Sequence, residues 1–156
     1  MKYFTLDELC VTHRKDLQDY PDKQCRNNLE WLVLNVLDPL REVCGPLVVV
    51  SGYRSEALNR AVGGSETSQH LLGEAVDLIP KRCSATELAL AAETLRLPIY
   101  QFIFYPLESN PSRVHIGMAR NGLLDPLHSM QLKVCNGRKS YVTYTGWLKS
   151  KGISNG

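Results

Sequence analysis

Residues Val48–Asp77 read VVVSGYRSEALNRAVGGSETSQHLLGEAVD, and the way this stretch must turn decides the fold. An apolar run opens it, Ser51-Gly52 breaks the run, and Ser68-x-His70-x-x-Gly73-x-Ala75-x-Asp77 closes it. We read His70 and Asp77 as two of three protein ligands to a zinc ion, with His115 the third. Three N/O ligands and an open fourth position are the usual arrangement of a catalytic zinc. On one continuous helix, side chains seven residues apart stand roughly 10 Å from each other, whereas zinc–ligand bonds are only about 2 Å long. The chain must therefore turn between His70 and Asp77, and Gly73 offers the place. Glu74–Ile79 then reads as a short strand, in which alternation points Asp77 away from Val76 and Leu78. Val114-His115-Ile116 repeats the device, a histidine between two β-branched residues. Two neighbouring strands are thus expected to present Asp77 and His115 from one face of one sheet.

Outward from this stretch, the flanks read as helices and further strands. Thr5 and Glu8 form a helix-start pattern near the N-terminus. Leu29, Leu32, Val33, Val36, Leu37 and Leu40 recur at helical spacing between Asn28 and Val43, with a kink or break expected before Pro39. Trp31 in that helix reads as packing. Leu47–Val50 is expected as a strand in the middle of the sheet, Ser55–Ala61 as a short helix, and Ser84–Leu97 as a helix ended by Pro98. Tyr100–Tyr105 and Val114–Met118 read as strands, Pro106–Ser112 as a loop, and the segments around Asn136-Gly137 as a hairpin.

The 156 residues, 44% of them hydrophobic, fit one domain over 1–156, with 146–156 a loosely held tail. A net charge of +2 without a basic stripe argues against a nucleic-acid partner, and no apolar run is long enough to span a membrane. The acidic start argues against a signal peptide, so the chain is expected to be made in the cytoplasm, and as a monomer. Five cysteines without CxxC read as reduced thiols rather than zinc ligands. His13 and His128 have no partners at ligand spacing. Arg54, just past a strand and before the ligand stretch, is a candidate for binding a carboxylate with its planar fork; its bland alternative is a solvated loop arginine.

Taken together, Ser51-Gly52-Tyr53-Arg54-Ser55, Leu58-Asn59, Val62-Gly63-Gly64-Ser65, Ser68-Gln69-His70, Gly73-x-Ala75-x-Asp77 and Val114-His115-Ile116 closely resemble the zinc D-Ala-D-Ala carboxypeptidase family. The likeness is to its small phage- and prophage-type members, within the superfamily shared with the Hedgehog signalling domain. It extends to Phe4-Thr5-Leu6-x-Glu8-Leu9 and Leu37-x-Pro39-Leu40-Arg41. The resemblance implies an α+β fold, a twisted antiparallel sheet with helices outside it, and zinc at His70, Asp77 and His115. It also implies cleavage of bacterial cell-wall peptidoglycan peptides, with Arg54 holding or polarising the substrate; Ser68 and Arg113 are further candidates for substrate contact.

One departure from the family pattern bears on mechanism. Members carry an acid/base residue three positions before the third ligand, two before it, or on the preceding strand. Those positions here hold Ser112, Arg113 and Tyr105. Glu108 is the nearest acid and the candidate proton carrier, with Tyr105 able to orient a transition state. Three readings follow: a zinc peptidase of carboxypeptidase or endopeptidase type, a non-catalytic zinc-containing module that binds wall or partner, and a structural phage component in which metal only stabilises the fold.

Overall fold

The computed structural model describes residues 1–105 and 113–118, and the backbone of 131–135 and 141–144. Glu108 with its loop, His128, the turn at Asn136-Gly137 and the tail 146–156 lie outside the described residues. The architecture is α+β: helices packed on one face of a six-stranded sheet ordered β1-β2-β4-β3-β5-β6. The strands are β1 (Leu47–Ser51), β2 (Ala75–Pro80), β3 (Ile99–Tyr105), β4 (Arg113–Met118), β5 (Gln131–Cys135) and β6 (Tyr141–Tyr144). β1, β2, β4 and β3 form an antiparallel set, as expected. β5 joins β3 in parallel, a departure from the all-antiparallel sheet, and pairs antiparallel with β6.

β1 is not central but lies at the sheet edge. Its β-branched run suggested burial on both faces, yet only Leu47 is buried and Val48 is 43% exposed. β2 and β4 lie inside the sheet, and their residues are almost all buried.

The helices are α1 (Leu6–Leu9), α2 (Lys23–Leu32), α3 (Asp38–Cys44), α4 (Glu56–Ala61) and α5 (Ala85–Thr94). α1 is a single turn closed by a capping box, the Thr5 hydroxyl accepting from Glu8 N–H and the Glu8 carboxylate from Thr5 N–H. α2 starts earlier than the apolar period suggests, because Asp22 caps it by accepting from Cys25 N–H at 2.8 Å. Between α2 and α3, Val33–Leu37 form a π-helical turn in which Asp38 N–H reaches back to Val33. Pro39 explains it: proline has no N–H to donate and crowds the carbonyl four residues back, so one widened turn carries the helix past it. The buried Asp38 carboxylate then accepts from the backbone N–H groups of Lys2 and Tyr3, tying down the N-terminus. α5 has the Ser84–Glu87 capping box but stops short of Leu97. Arg96 takes a positive φ of 51° and Leu97 N–H bonds back to Ala92, closing the helix before Pro98 is reached.

The helical stripe from Leu29 to Leu40 is fully buried. It shares one core with Val76, Leu78, Phe102, Phe104, Val114 and Ile116 on one face of the sheet. Alternation sends the residues between them to the other face. There Asp77 stands opposite His115, His115 opposite Ile103, and Arg113 opposite Tyr105.

Candidate metal centre

The site is built from two arms that meet on that second face. In the first, the ladder does the placing. β2 and β4 pair Asp77 directly with His115, and Asp77 Oδ1 lies 2.8 Å from His115 Nδ1. Both side chains are buried, although alternation turns them away from the core face.

The second arm brings His70 in on a 3-10 turn, Gln69–Leu72, capped by Ser68. Gly73 ends the turn at a φ of 67°, and a Cβ there would sit 2.6 Å from Cys25 O, so both conformation and space demand glycine. The chain thus turns where expected. Gln69 fastens the arm to β4, its amide donating to Met118 O at 3.0 Å. His70 Nδ1 lies 2.7 Å from Gly52 O, and since a carbonyl only accepts, Nδ1 carries the proton. Nε2 is left with its lone pair, 3.4 Å from Asp77 Oδ1.

The group that orients the His70 ring is thus a backbone carbonyl. Ser68 Oγ instead accepts from His70 N–H at 3.3 Å and caps the turn. Sequence reading missed Gly52, for a carbonyl ligand leaves no side-chain signal. The nearest clue is the residue type: a Cβ at Gly52 would fall 2.0 Å from Leu9 O.

Arg54 lies at the site as expected. Its Nη2 donates to Asp77 Oδ2 at 3.0 Å and its Nε to Ser51 Oγ at 3.0 Å. Nε and Nη2 of the guanidinium are therefore committed to Ser51 and Asp77. Burial, and Arg113 nearby, push its pKa down while Asp77 pulls it up. Arg113 shares the face with His115 two residues along β4, and its guanidinium stacks on the Tyr105 ring at 4.9 Å.

The donor set suits zinc. One ligand atom from each of His70, Asp77 and His115 lies within 4.8 Å of the others. The His70–Asp77 separation of 3.4 Å matches the edge of about 3.3–3.5 Å that tetrahedral coordination requires. The 2.8 Å His115–Asp77 contact is a hydrogen bond, and must open slightly around an ion. Burial lowers the His70 pKa, keeping the imidazole neutral as a ligand must be. Burial works against ionising Asp77, but the surrounding His70 and His115 hold its pKa well below the usual carboxylate value.

A buried His–Asp–His cluster with an arginine on its carboxylate is thus in hand, and the sequence model for Peptidase M15 matches residues 2–106. The chain belongs to the peptidase M15 family. M15 peptidases are zinc-dependent metallopeptidases, and the chain carries the side chains to hold such an ion. The match takes in Arg54, His70 and Asp77 and ends before His115, whose place in the M15 site rests on the β2–β4 register. No curated protein matches the chain. No helix among the described residues is long and apolar enough to cross a membrane.

Proposed function

We propose that this M15 peptidase cleaves peptide bonds in the stem peptides of bacterial peptidoglycan, with zinc held by His70, Asp77 and His115. It acts on the wall once released from the cell that makes it. The observation that carries the reading is the positive face around the cluster: Arg54 on one side of Asp77 and Arg113 beside His115. Stem peptides end in carboxylates, which guanidinium groups recognise by paired hydrogen bonds. A bound zinc ion would supply Lewis acidity for a peptide carbonyl and a water of lowered pKa.

The chain's own residues do the rest. Arg54 fixes the outer oxygen of Asp77 and offers its other edge to substrate. Gly52 O holds His70 in one tautomer. Arg113, braced on Tyr105, binds a substrate carboxylate, and Ser68 keeps the His70 turn in place and lines the approach. Glu108 is assigned the proton transfer. Arg113 and Tyr105 are of types that make poor bases at neutral pH, since a guanidinium holds its proton and a phenol in water ionises only near pH 10. That same fact favours a second reading, a zinc-containing module that binds wall peptides without cutting them.

Incubating the zinc-loaded protein with purified peptidoglycan and with a synthetic D-Ala-D-Ala stem peptide, followed by mass spectrometry, separates the readings. Chelator-sensitive release of D-Ala identifies a carboxypeptidase, and internal cleavage an endopeptidase. Zinc-dependent binding without products establishes the second reading. A fall of about a hundredfold or more confined to Glu108→Gln, with zinc retained, supports its role; unchanged turnover in that variant removes it.

A further inference from the structure

The β1–β2 ladder continues past its last paired rung. Leu47 pairs with Pro80, Lys81 N–H then bonds to Pro46 O at 3.0 Å, and the backbone at Gly45 packs on Arg82, where an added Cβ would meet the Arg82 side chain at 3.2 Å. This approach brings Cys44, the last residue of α3, into side-chain contact with Cys83, just before the α5 cap. Thiols already in contact need little backbone movement to form a disulfide, which bridges Cα atoms about 4.4–6.8 Å apart. We propose that Cys44 and Cys83 are a modification site, an intramolecular disulfide formed when the protein meets a small-molecule disulfide outside a reducing compartment.

Neither thiol serves the metal cluster, which lies at the other end of the β1–β2 ladder. Both are free in the structure, Cys44 buried and Cys83 half-buried. Burial raises both thiol pKa values, that of Cys83 to about 12, while contact with Cys83 draws Cys44 partly back down. The reaction is therefore slow at neutral pH and faster in base. One of the two thiolates attacks one sulfur of the external disulfide, forming a mixed disulfide and expelling one thiolate. The other thiolate then attacks the protein sulfur of that mixed disulfide, forming the protein disulfide and expelling the second. Two protein thiols are oxidised and one external disulfide is reduced to two thiols. Cys25 is placed differently, its thiol donating to Leu71 O at 3.5 Å. The closed loop contains Arg54, His70 and Asp77, so the bond ties the base of the segment that carries most of the site.

The test is oxidation of the purified chain by oxidised glutathione at about pH 8.5, where thiolate is favoured. The expected product is lighter by about 2 Da, as loss of two hydrogens requires. Trypsin should yield peptide Glu42–Arg54 linked to Cys83–Arg96, released by reductant. The melting temperature should rise by about 5–10 °C, and Cys83→Ser should lose both the link and the rise. Glutathione adducts left on separate cysteines, a link to Cys10, Cys25 or Cys135, or thiols unreacted in the native protein would each overturn the assignment.

Discussion

Asp77 and His115 are placed by a β-ladder, His70 by a short turn, and the two arms of the site differ in what holds them. In the first arm, two central strands set the side chains opposite each other, with Val76, Leu78, Val114 and Ile116 buried behind them. Moving either ligand means moving the core. In the second, a 3-10 turn is held by a cap, a glycine, one glutamine amide and a carbonyl two loops away. Its errors would leave the sheet intact and displace a single nitrogen. A cluster assembled this way draws precision from the sheet and adjustability from the loop, so the arms should fail in distinguishable ways.

The largest effect breaks both arms equally. His70→Ala and His115→Ala should each lose zinc on desalting, since two remaining ligands cannot hold the ion against exchange. Metal analysis reads this directly, and retention of zinc by either variant would remove that residue from the site. Arg54→Ala comes next. It leaves a buried carboxylate without its ion pair and would remove the substrate contact proposed for Arg54, so kcat/KM should fall by about 30- to 1000-fold. Arg54→Lys should not restore it, for an ammonium cannot span Asp77 and Ser51 while offering a second edge. Zinc content measured beside the rate separates the positioning of Asp77 from the binding of substrate.

The comparison sharpens with two glycines that touch different ties of the His70 arm. Gly52→Ala drives a Cβ into the Leu9 backbone, which cannot yield, so the carbonyl that orients His70 must move. Zinc affinity should drop by about 10- to 100-fold, the usual size of an outer-shell loss. Gly117→Ala, on β4, meets the end of the Gln69 side chain at 2.1 Å and His115 Nε2 at 3.5 Å. A rotamer change of Gln69 relieves the closer contact while loosening its bond to Met118 O, and the fall should stay below about tenfold. Equal losses would mean that the Gln69 tie positions His70 as firmly as the Gly52 carbonyl does.

Acid should reveal the arms' difference in the metal-free protein. The ordinary histidine value is 6.5, and burial holds His70 below it. As pH falls through 6.5 the unfolded chain takes up a proton that the folded chain refuses, so stability declines, by at most about 1.4 kcal/mol per pH unit. Asp77 contributes nothing to this window, because its carboxyl is depressed and stays ionised until far lower pH. Urea midpoints at pH 7.5 and 5.5 check this, and a His70→Gln variant should flatten the difference.

What could be read from the sequence divides along the same line. The ligands, Arg54 and the turn at Gly73 were legible because their chemistry resides in side chains at telling intervals. Asp77 and His115 each sit between apolar neighbours, and the period of two placed them on one face. The Gly52 carbonyl was not legible, because every residue has one and only the fold selects which points at a histidine. The edge position of β1 was misread because a Val-rich run reports strand propensity, and strand order depends on long-range pairing. The parallel entry of β5 was hidden for the same reason. The break before Pro39 was foreseen, its π-helical form was not, since proline forbids a regular turn without dictating the replacement.

One titration tests the central claim most directly: zinc returned stepwise to chelated protein, with bound metal and cleavage of peptidoglycan peptide measured on each sample. Activity should rise in proportion to occupancy and level off at one zinc per chain, with His115→Ala showing neither uptake nor cleavage. Full occupancy without any cleavage, or cleavage that persists in the metal-free sample, would contradict the account of His70, Asp77 and His115 as a catalytic zinc site.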